Sequence, residues 1–227
     1  GAPLDVYLDS PTPATPTAGV TIDLLNHQVP YFGSATADSV VTLHNNINGL
    51  GFNRNITVMG NPYTSNDYAV IDGSVMNCTD LHIYGEPYGN SSGELVINGD
   101  VQTTAGGQGR LTVSGGAKLT MNGTATLAGT LAVDNFSTLG GTGTIAGGPG
   151  NYDIRGTIAP GYKGVGTLSI DVGGTMLMHN NLTYEWELGP RGAGKPAPVG
   201  TPDTIDITGG ALTMYNFVLK ILDAGGY

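Results

Sequence analysis

The chain has 227 residues, and only 11% of them are charged, whereas an ordinary soluble domain has about 25%. Hydrophobic residues make up 39%, which argues against a disordered chain, and the 38 glycines follow no Gly-X-Y period, which excludes collagen. A formal net charge of −10 repels phosphate backbones and argues against nucleic acid as a partner. Abundant Gly, Thr, Asn and Val instead favour many short strands joined by tight turns.

The N-terminal arm, residues 1–19, combines one strand with a tether. Apolar residues alternate with Asp5, Tyr7 and Asp9, which predicts a strand with one apolar face. Prolines recur through Ser10–Gly19 and favour an extended polyproline-II segment that spans roughly 25–30 Å. Such a strand could pair with a neighbouring copy or fold back to cap its own molecule. The residues assigned to this assembly strand are Leu4, Val6, Tyr7 and Leu8.

Residues 20–92 form a second region, in which the β pattern is irregular. Turn signals such as Asn48-Gly49 and Asp72-Gly73 separate short runs of strand-forming residues. The predicted strands are Val20–Leu25, Ser39–His44, Asn55–Met59, Tyr68–Ile71 and Asp80–Tyr84.

Residues 93–227 form a third region, which carries a short repeat of the form Gly-x-Leu-x-[Val/Ile/Met]. Its Leu and Val positions point to one side of a strand, and we expect its glycine to supply a positive-φ turn before each strand. A unit of this kind cannot bury its apolar side alone, so stacking of successive units predicts a β-solenoid. Because the copies of the repeat are unevenly spaced along the chain, a β-sandwich or jelly roll is the alternative architecture. The copies are Gly93–Ile97, Gly109–Val113, Gly129–Val133, Gly166–Ile170 and Gly210–Met214.

The repeat region resembles the strand repeats of autotransporter passengers and of PEP-CTERM surface proteins. The similarity is carried by Gly109–Gly123, by Gly140–Ile145 with Gly156–Gly161, and by Leu182–Gly189 with Asp203–Gly209. It implies an all-β, right-handed parallel β-helix that is exported to the bacterial surface, and it implies no particular chemistry. The residues show neither a translocator barrel after Tyr227 nor a PEP-CTERM sorting tail, and residues 1–92 match poorly.

Two acidic groups are candidates for chemistry. Glu185 and Glu187 flank Trp186, and a carboxylate pair beside an aromatic ring is typical of glycoside hydrolysis. A solvent-facing pair on a structural strand is the favoured interpretation. Asp203 and Asp206 suggest a calcium site, but their spacing matches no known loop, so a plain turn followed by an exposed strand position is expected.

Cys78 has no basic or His neighbour in sequence and is predicted to be a buried, unreactive thiol. The four histidines are dispersed, so no metal and no cofactor are predicted. Six Asn-x-Ser/Thr triplets are possible glycosylation sites, although a chain rich in Asn and Thr produces such triplets by chance. They begin at Asn55, Asn77, Asn90, Asn122, Asn135 and Asn181.

Together these features predict a non-enzymatic structural protein, secreted or held at the bacterial cell surface, with no transmembrane segment. Its expected partner is itself, in a head-to-tail homopolymer that forms a filament, sheath or layer through exchange of the N-terminal strand. The start at Gly1 suggests either that a signal peptide was removed or that the chain was trimmed. The alternatives are an adhesin that binds glycans or a cell surface and a carbohydrate-active enzyme.

Overall fold

A computed structural model describes residues 21–23, 31–32, 40–43, 46–59, 68–86, 93–161, 164–188 and 201–223. Within these ranges every regular element is a β-strand, and no helix is long and apolar enough to cross a membrane. The strands are β1 (Thr21–Asp23), β2 (Tyr31–Phe32), β3 (Val40–Leu43), β4 (Asn46–Met59), β5 (Tyr68–Ile71), β6 (Val75–Glu86), β7 (Glu94–Ile97), β8 (Val101–Thr103), β9 (Arg110–Ser114), β10 (Lys118–Met121), β11 (Thr124–Leu127), β12 (Leu131–Val133), β13 (Thr138–Gly141), β14 (Thr144–Gly147), β15 (Tyr152–Ile154), β16 (Thr157–Pro160), β17 (Thr167–Met178), β18 (Leu182–Leu188), β19 (Thr204–Met214) and β20 (Phe217–Asp223).

These strands form two sheets, and all pairings between them are parallel. One sheet has eight strands in the order β20-β18-β16-β13-β10-β7-β5-β3. The other has twelve strands, and its central path runs β6-β8-β11-β14-β17-β15-β12-β9. Because β6 also pairs with β9, this path closes into a ring of eight parallel strands.

The ring closes through two long strands that each serve two neighbours. Strand β6 pairs with β8 at Val75 and Cys78, with a register shift between these two residues, and then pairs with β9 around Leu81. Strand β17 likewise pairs with β14 through Ile170 and with β15 through Met176. Along the chain, strand segments therefore occupy three positions in turn: the eight-stranded sheet, the β8-β11-β14 side of the ring, and the β9-β12-β15 side.

Side chains that pair in register form apolar ladders, and members from both sheets pack into one buried cluster. The ladder of the eight-stranded sheet runs Ala69, Leu95, Leu119, Leu139, Ile158. The ladders of the ring run Val75, Val101, Ala125, Ile145, Ile170 and Leu81, Leu111, Leu131, Tyr152, Met176. Each of these residues is at most 2% exposed. Burial of such side chains contributes roughly 1.5–3 kcal/mol each, so these ladders are the main source of stability.

The predicted repeat corresponds to this core. Its Leu and Val positions are buried in the common cluster in the first four copies, from Leu95 to Ile170. The expected role of the repeat glycine is partly wrong. Gly109 has a positive φ of 59°, but Gly129 does not. A Cβ at Gly129 would instead overlap with the carbonyl of Gln108, so close packing of two chain segments requires glycine there.

The predicted strands of residues 20–92 are also largely confirmed. Tyr68–Ile71 is β5, and the other four predictions overlap β1, β3, β4 and β6. Strand β5 pairs in register with β7, so strands from both sides of position 92 belong to the same sheets.

Polar side chains also pair from level to level at the positions that directly follow β5, β7 and β10. We call this set, Asp72, Asn98 and Asn122, the corner ladder. Asn98 donates its amide to Asp72 at 2.7 Å, and Asn122 donates to Asn98 at 2.9 Å. The Asn122 oxygen accepts the backbone N–H of Thr142 at 3.3 Å. Each amide therefore links one level of the stack to the next, as in the Asn ladders of stacked parallel strands.

Tyr152 breaks the apolar pattern of the core. It occupies the ladder position that Leu131 fills one level earlier, and it is 0% exposed. Its hydroxyl is buried without a hydrogen-bond partner, and desolvation, assisted by the charge of Asp171, raises its pKa to about 12. A buried hydroxyl without a partner is destabilising.

We predict that Tyr152→Phe raises the free energy of unfolding by about 1 kcal/mol, because it removes the desolvated hydroxyl and keeps the ring. Urea denaturation followed by circular dichroism measures the change. Tyr184→Phe is the matched control, since the Tyr184 hydroxyl accepts a hydrogen bond from the Ile205 backbone and its loss should be destabilising. A loss of stability in Tyr152→Phe comparable with that control would show that the Tyr152 hydroxyl has a partner.

Candidate assembly surface at the C-terminal end

In each of the two sheets, the last strand along the chain lies at an edge. In the described part of the chain, β19 pairs with β17 and β20 pairs with β18, and no strand covers their other sides. The edge of a sheet presents backbone N–H and C=O groups that can pair with another strand. We call the β19 and β20 edges, with the side chains they carry, the open end.

The open end keeps the apolar pattern of the core although nothing in the described residues covers it. Met214 pairs with Met178 and is 48% exposed, whereas Met178 is 4% exposed. Leu219 continues the ladder of the eight-stranded sheet after Tyr184, and it is 48% exposed. Ile221 lies two positions further along β20 and is 56% exposed. Apolar side chains on the last described strand of each sheet are therefore about half exposed.

The two edges differ in charge. On β20, Lys220 carries a positive charge and contacts Glu185 at 2.6 Å. On β19, Asp206 is exposed, and Thr208 approaches Asp171 of the neighbouring strand at 3.4 Å. Lys220 is the single Lys or Arg in the sequence 201–223. The positive charge on β20 is thus already paired with Glu185, while the carboxylate of Asp206 on β19 is exposed.

The carboxylate of Asp203, which directly precedes β19, is buried and hydrogen-bonded. The Asp203 carboxylate accepts the backbone N–H groups of Gly166 at 2.7 Å and of Glu187 at 2.9 Å. The Trp186 indole donates to the Asp203 carbonyl at 2.7 Å. Asp203 lies outside the strands, directly before β19, but it is only 3% exposed, a burial that the sequence did not predict, whereas Asp206 is exposed on β19 as expected. Its two backbone contacts explain why a carboxylate is buried there.

The acidic pair beside Trp186 is only partly exposed. Glu185 is paired with Lys220, while Glu187 lies nearer to Asp203. Desolvation raises the pKa of Glu187, and the negative charges of Asp203 and Glu185 raise it further. Tyr184 packs against the core, as the alternation predicts. Among the described residues, no group of three or more His, Cys, Asp or Glu side chains could hold a metal ion.

The predicted assembly strand lies outside the described residues. The possible glycosylation sites are placed in different environments, and Asn90 and the side chain of Asn55 lie outside the described part. Asn135 and Asn181 are exposed. Asn77 has a φ of 58° and donates to Asn48 at 3.1 Å. The amide nitrogen of Asn122 donates to Asn98, so a sugar on that nitrogen would disrupt the corner ladder.

Sequence reasoning missed the β20 edge. The alternation Leu219, Lys220, Ile221 is visible in the sequence, but it does not show that this strand ends a sheet. That information comes from the pairing order. No protein-family model matches the chain, and neither a curated protein nor a solved structure matches it.

We predict that Asp203 makes stability depend on pH. Desolvation raises its pKa in the folded protein, partly offset by its two backbone hydrogen bonds. The folded state therefore binds more protons than the unfolded state, and the contribution of Asp203 to stability falls as the pH rises through the folded pKa. Asp203→Asn cannot titrate, so the difference in unfolding free energy between wild type and variant should shrink with rising pH.

Chemical denaturation from pH 3 to pH 8 measures this difference. Asp206→Asn is the control because it removes the same charge from an exposed position on β19. A difference that grows with rising pH would show that the backbone hydrogen bonds outweigh desolvation and lower the pKa of Asp203.

The prediction of a buried Cys78 is confirmed, since its side chain is 1% exposed. Burial raises the pKa of the thiol to about 11, although the positive charge of Arg54 opposes the shift. We expect a disulfide reagent at pH 8 to label Cys78 slowly in the folded protein and rapidly in denaturant. Cys78→Ser with Thr126→Cys provides an exposed thiol for comparison. Equal labelling rates for Cys78 in both states would contradict the assignment.

Proposed function

We propose that the chain is a right-handed parallel β-helix. The three positions that strand segments occupy in turn, and the in-register pairing between successive levels, support a coil that advances by one strand spacing per turn. A right-handed path is favoured because connections between parallel strands of one sheet are right-handed in about 98% of cases. The closed ring of eight pairings then arises because β6 and β17 each bend across two faces of the coil.

We infer that the protein is a self-assembling structural subunit. The observation that carries this inference is the in-register stack, in which each level buries its apolar side only against neighbouring levels. The sequence also supplies an alternating strand on a proline-rich tether, which provides a further level for a stack of this kind.

The parallel arrangement determines the kind of assembly. The two ends of a parallel stack differ, so contact between the N-terminal arm of one copy and the C-terminal end of the next is heterologous. Heterologous contacts that do not close produce filaments. We therefore propose a filament, sheath or layer subunit. The motif resemblance further supports secretion to a bacterial cell surface as the place of assembly.

A second candidate function is an adhesin. It is favoured by the aromatic ring of Phe136, which is 93% exposed at a corner with a φ of 68° and could stack on a sugar. A glycan array distinguishes this function: binding that is lost in Phe136→Ala and unaffected by the arm would favour the adhesin.

We predict that deletion of residues 1–19 abolishes assembly. The full chain should form elongated particles in negative-stain images and elute as a size distribution that depends on concentration, and the deletion variant should elute as a monomer. Replacement of Leu4, Val6 and Leu8 by serine is the matched control, because it keeps the tether and removes the apolar face. A full chain that stays monomeric at high concentration and is unchanged by the deletion would overturn the proposed function.

A further inference from the structure

We propose that the rings of Tyr84 and Phe136, with the turn Ser114–Ala117 between them, bind a neutral glycan chain. We call these residues the glycan slot. This inference rests on the second candidate function, the adhesin, and assigns its ligand class and binding residues; it does not require assembly. The Tyr84 side chain is 41% exposed and that of Phe136 93%, on levels that have further levels on both sides. Their exposure is therefore a property of the side of the stack and not of its ends.

Phe136 occupies a turn position that disfavours its side chain. The backbone N–H of Ser137 donates to the Asp134 carbonyl at 3.1 Å, and Phe136, the third residue of this turn, has a φ of 68°. At the equivalent position, the turn one level earlier has Gly116 with a φ of 81°, and the turn two levels later has Asn181 with a φ of 73°. Glycine and asparagine tolerate a positive φ, whereas a bulky residue there is strained. Such strain is concentrated at functional sites.

The two rings flank a turn that has little side chain of its own. Tyr84 pairs in register with the first residue of the turn Ser114–Ala117, whose two central residues are glycines. A Cβ at Gly115 would lie 2.6 Å from the Tyr84 ring, so this ring rests on the glycine backbone. The turn that carries Phe136 belongs to the next level. Two spacings of about 4.8 Å place the levels of Tyr84 and Phe136 roughly 10 Å apart, so a glycan along the stack can place one sugar ring on each aromatic ring.

Polar side chains beside the glycan slot are held in place before any ligand binds. The His82 imidazole is hydrogen-bonded through Nε2 to the Ser114 hydroxyl, and it meets the Tyr84 ring edge to face at 5.8 Å. One level beyond Phe136, Arg155 donates from Nε and Nη2 to the Asp153 carboxylate at 3.0 and 2.9 Å. Because these groups are already fixed, they lose little conformational freedom when a ligand binds.

Charge at the glycan slot favours a neutral sugar. Asp134 begins the turn that carries Phe136, and it is exposed. Desolvation lowers the pKa of His82, against the opposing charge of Asp134, so the imidazole is neutral at pH 7. Asp134, Asp153 and Arg155 together therefore leave one net negative charge, which repels phosphates and acidic sugars. Sugar hydroxyls can donate to the Asp134 carboxylate, whereas an apolar partner would bury it without a donor.

Removal of each ring tests the glycan slot in the full chain. The probes are neutral oligosaccharides on a glycan array, each paired with its sialylated counterpart, and calorimetry measures affinity for the neutral oligosaccharide that binds best. Phe136→Asn should weaken binding roughly tenfold, and Tyr84→Thr roughly threefold. Phe136→Asn should not lower the midpoint of thermal unfolding, because Asn181 occupies the equivalent turn position. Phe52→Thr is the matched control, since Phe52 is 60% exposed beside Cys78, away from the slot, and its loss should leave binding unchanged.

Asp134→Asn tests the choice of a neutral ligand. The wild-type chain should bind the neutral oligosaccharide more tightly than its sialylated counterpart. Asp134→Asn should reduce this preference, because it removes the carboxylate that repels the acidic sugar. Tighter binding of the sialylated counterpart by the wild-type chain would overturn the proposed ligand class.

The outcomes separate this inference from the adhesin function and from assembly. If the wild-type chain binds a neutral glycan and both ring variants bind it equally well, the adhesin function stands and the glycan slot is wrong. If the full chain binds no glycan, both fail, whereas assembly is judged by the deletion of residues 1–19 alone. If no glycan binds and Phe136→Asn reduces self-association, a second copy occupies the slot and the proposal is overturned.

Discussion

The structure depends on the in-register stacking of apolar side chains along the inner side of parallel strands. Leu95, Leu119 and Leu139 lie on top of one another, and the ring repeats the arrangement with Val101, Ala125 and Ile145. A single strand of three to five residues cannot bury its apolar side, so each level is stable only when it has neighbours. This constraint accounts for both the regular interior and the exposed core positions at the last level.

The same constraint connects the fold to the proposed assembly. An interior level is covered on two sides, while a terminal level keeps one face of the ladder and one row of backbone groups uncovered. Asp203 fixes the chain at the start of the last level, because its carboxylate accepts the backbone N–H groups of Gly166 and Glu187. Among the described residues no strand covers the apolar edge of β20.

The core could be predicted from the sequence because its signal is local. Leu111 and Val113 alternate with polar residues, and such alternation determines which side chains point inward. The pairing partners are not local: nothing near Val75 indicates that it meets Val101, or that β6 divides its pairing between two neighbours. The burial of Asp203 was not predicted for the same reason, because its two donors, the backbone N–H groups of Gly166 and Glu187, are 37 and 16 residues away in the sequence. The open end required the complete pairing order before it could be recognised.

The corner ladder of asparagines also affects the chemical durability of the protein. Asn98 and Asn122 each precede a glycine, the sequence in which the following backbone nitrogen most readily attacks the side-chain carbonyl and deamidates the residue. In the stack, the Asn122 amide is held by Asn98 on one side and by Thr142 on the other. These contacts restrain the rotation that the attack requires. Deamidation is thus expected to be slow at these two Asn-Gly positions, although the sequence there favours it.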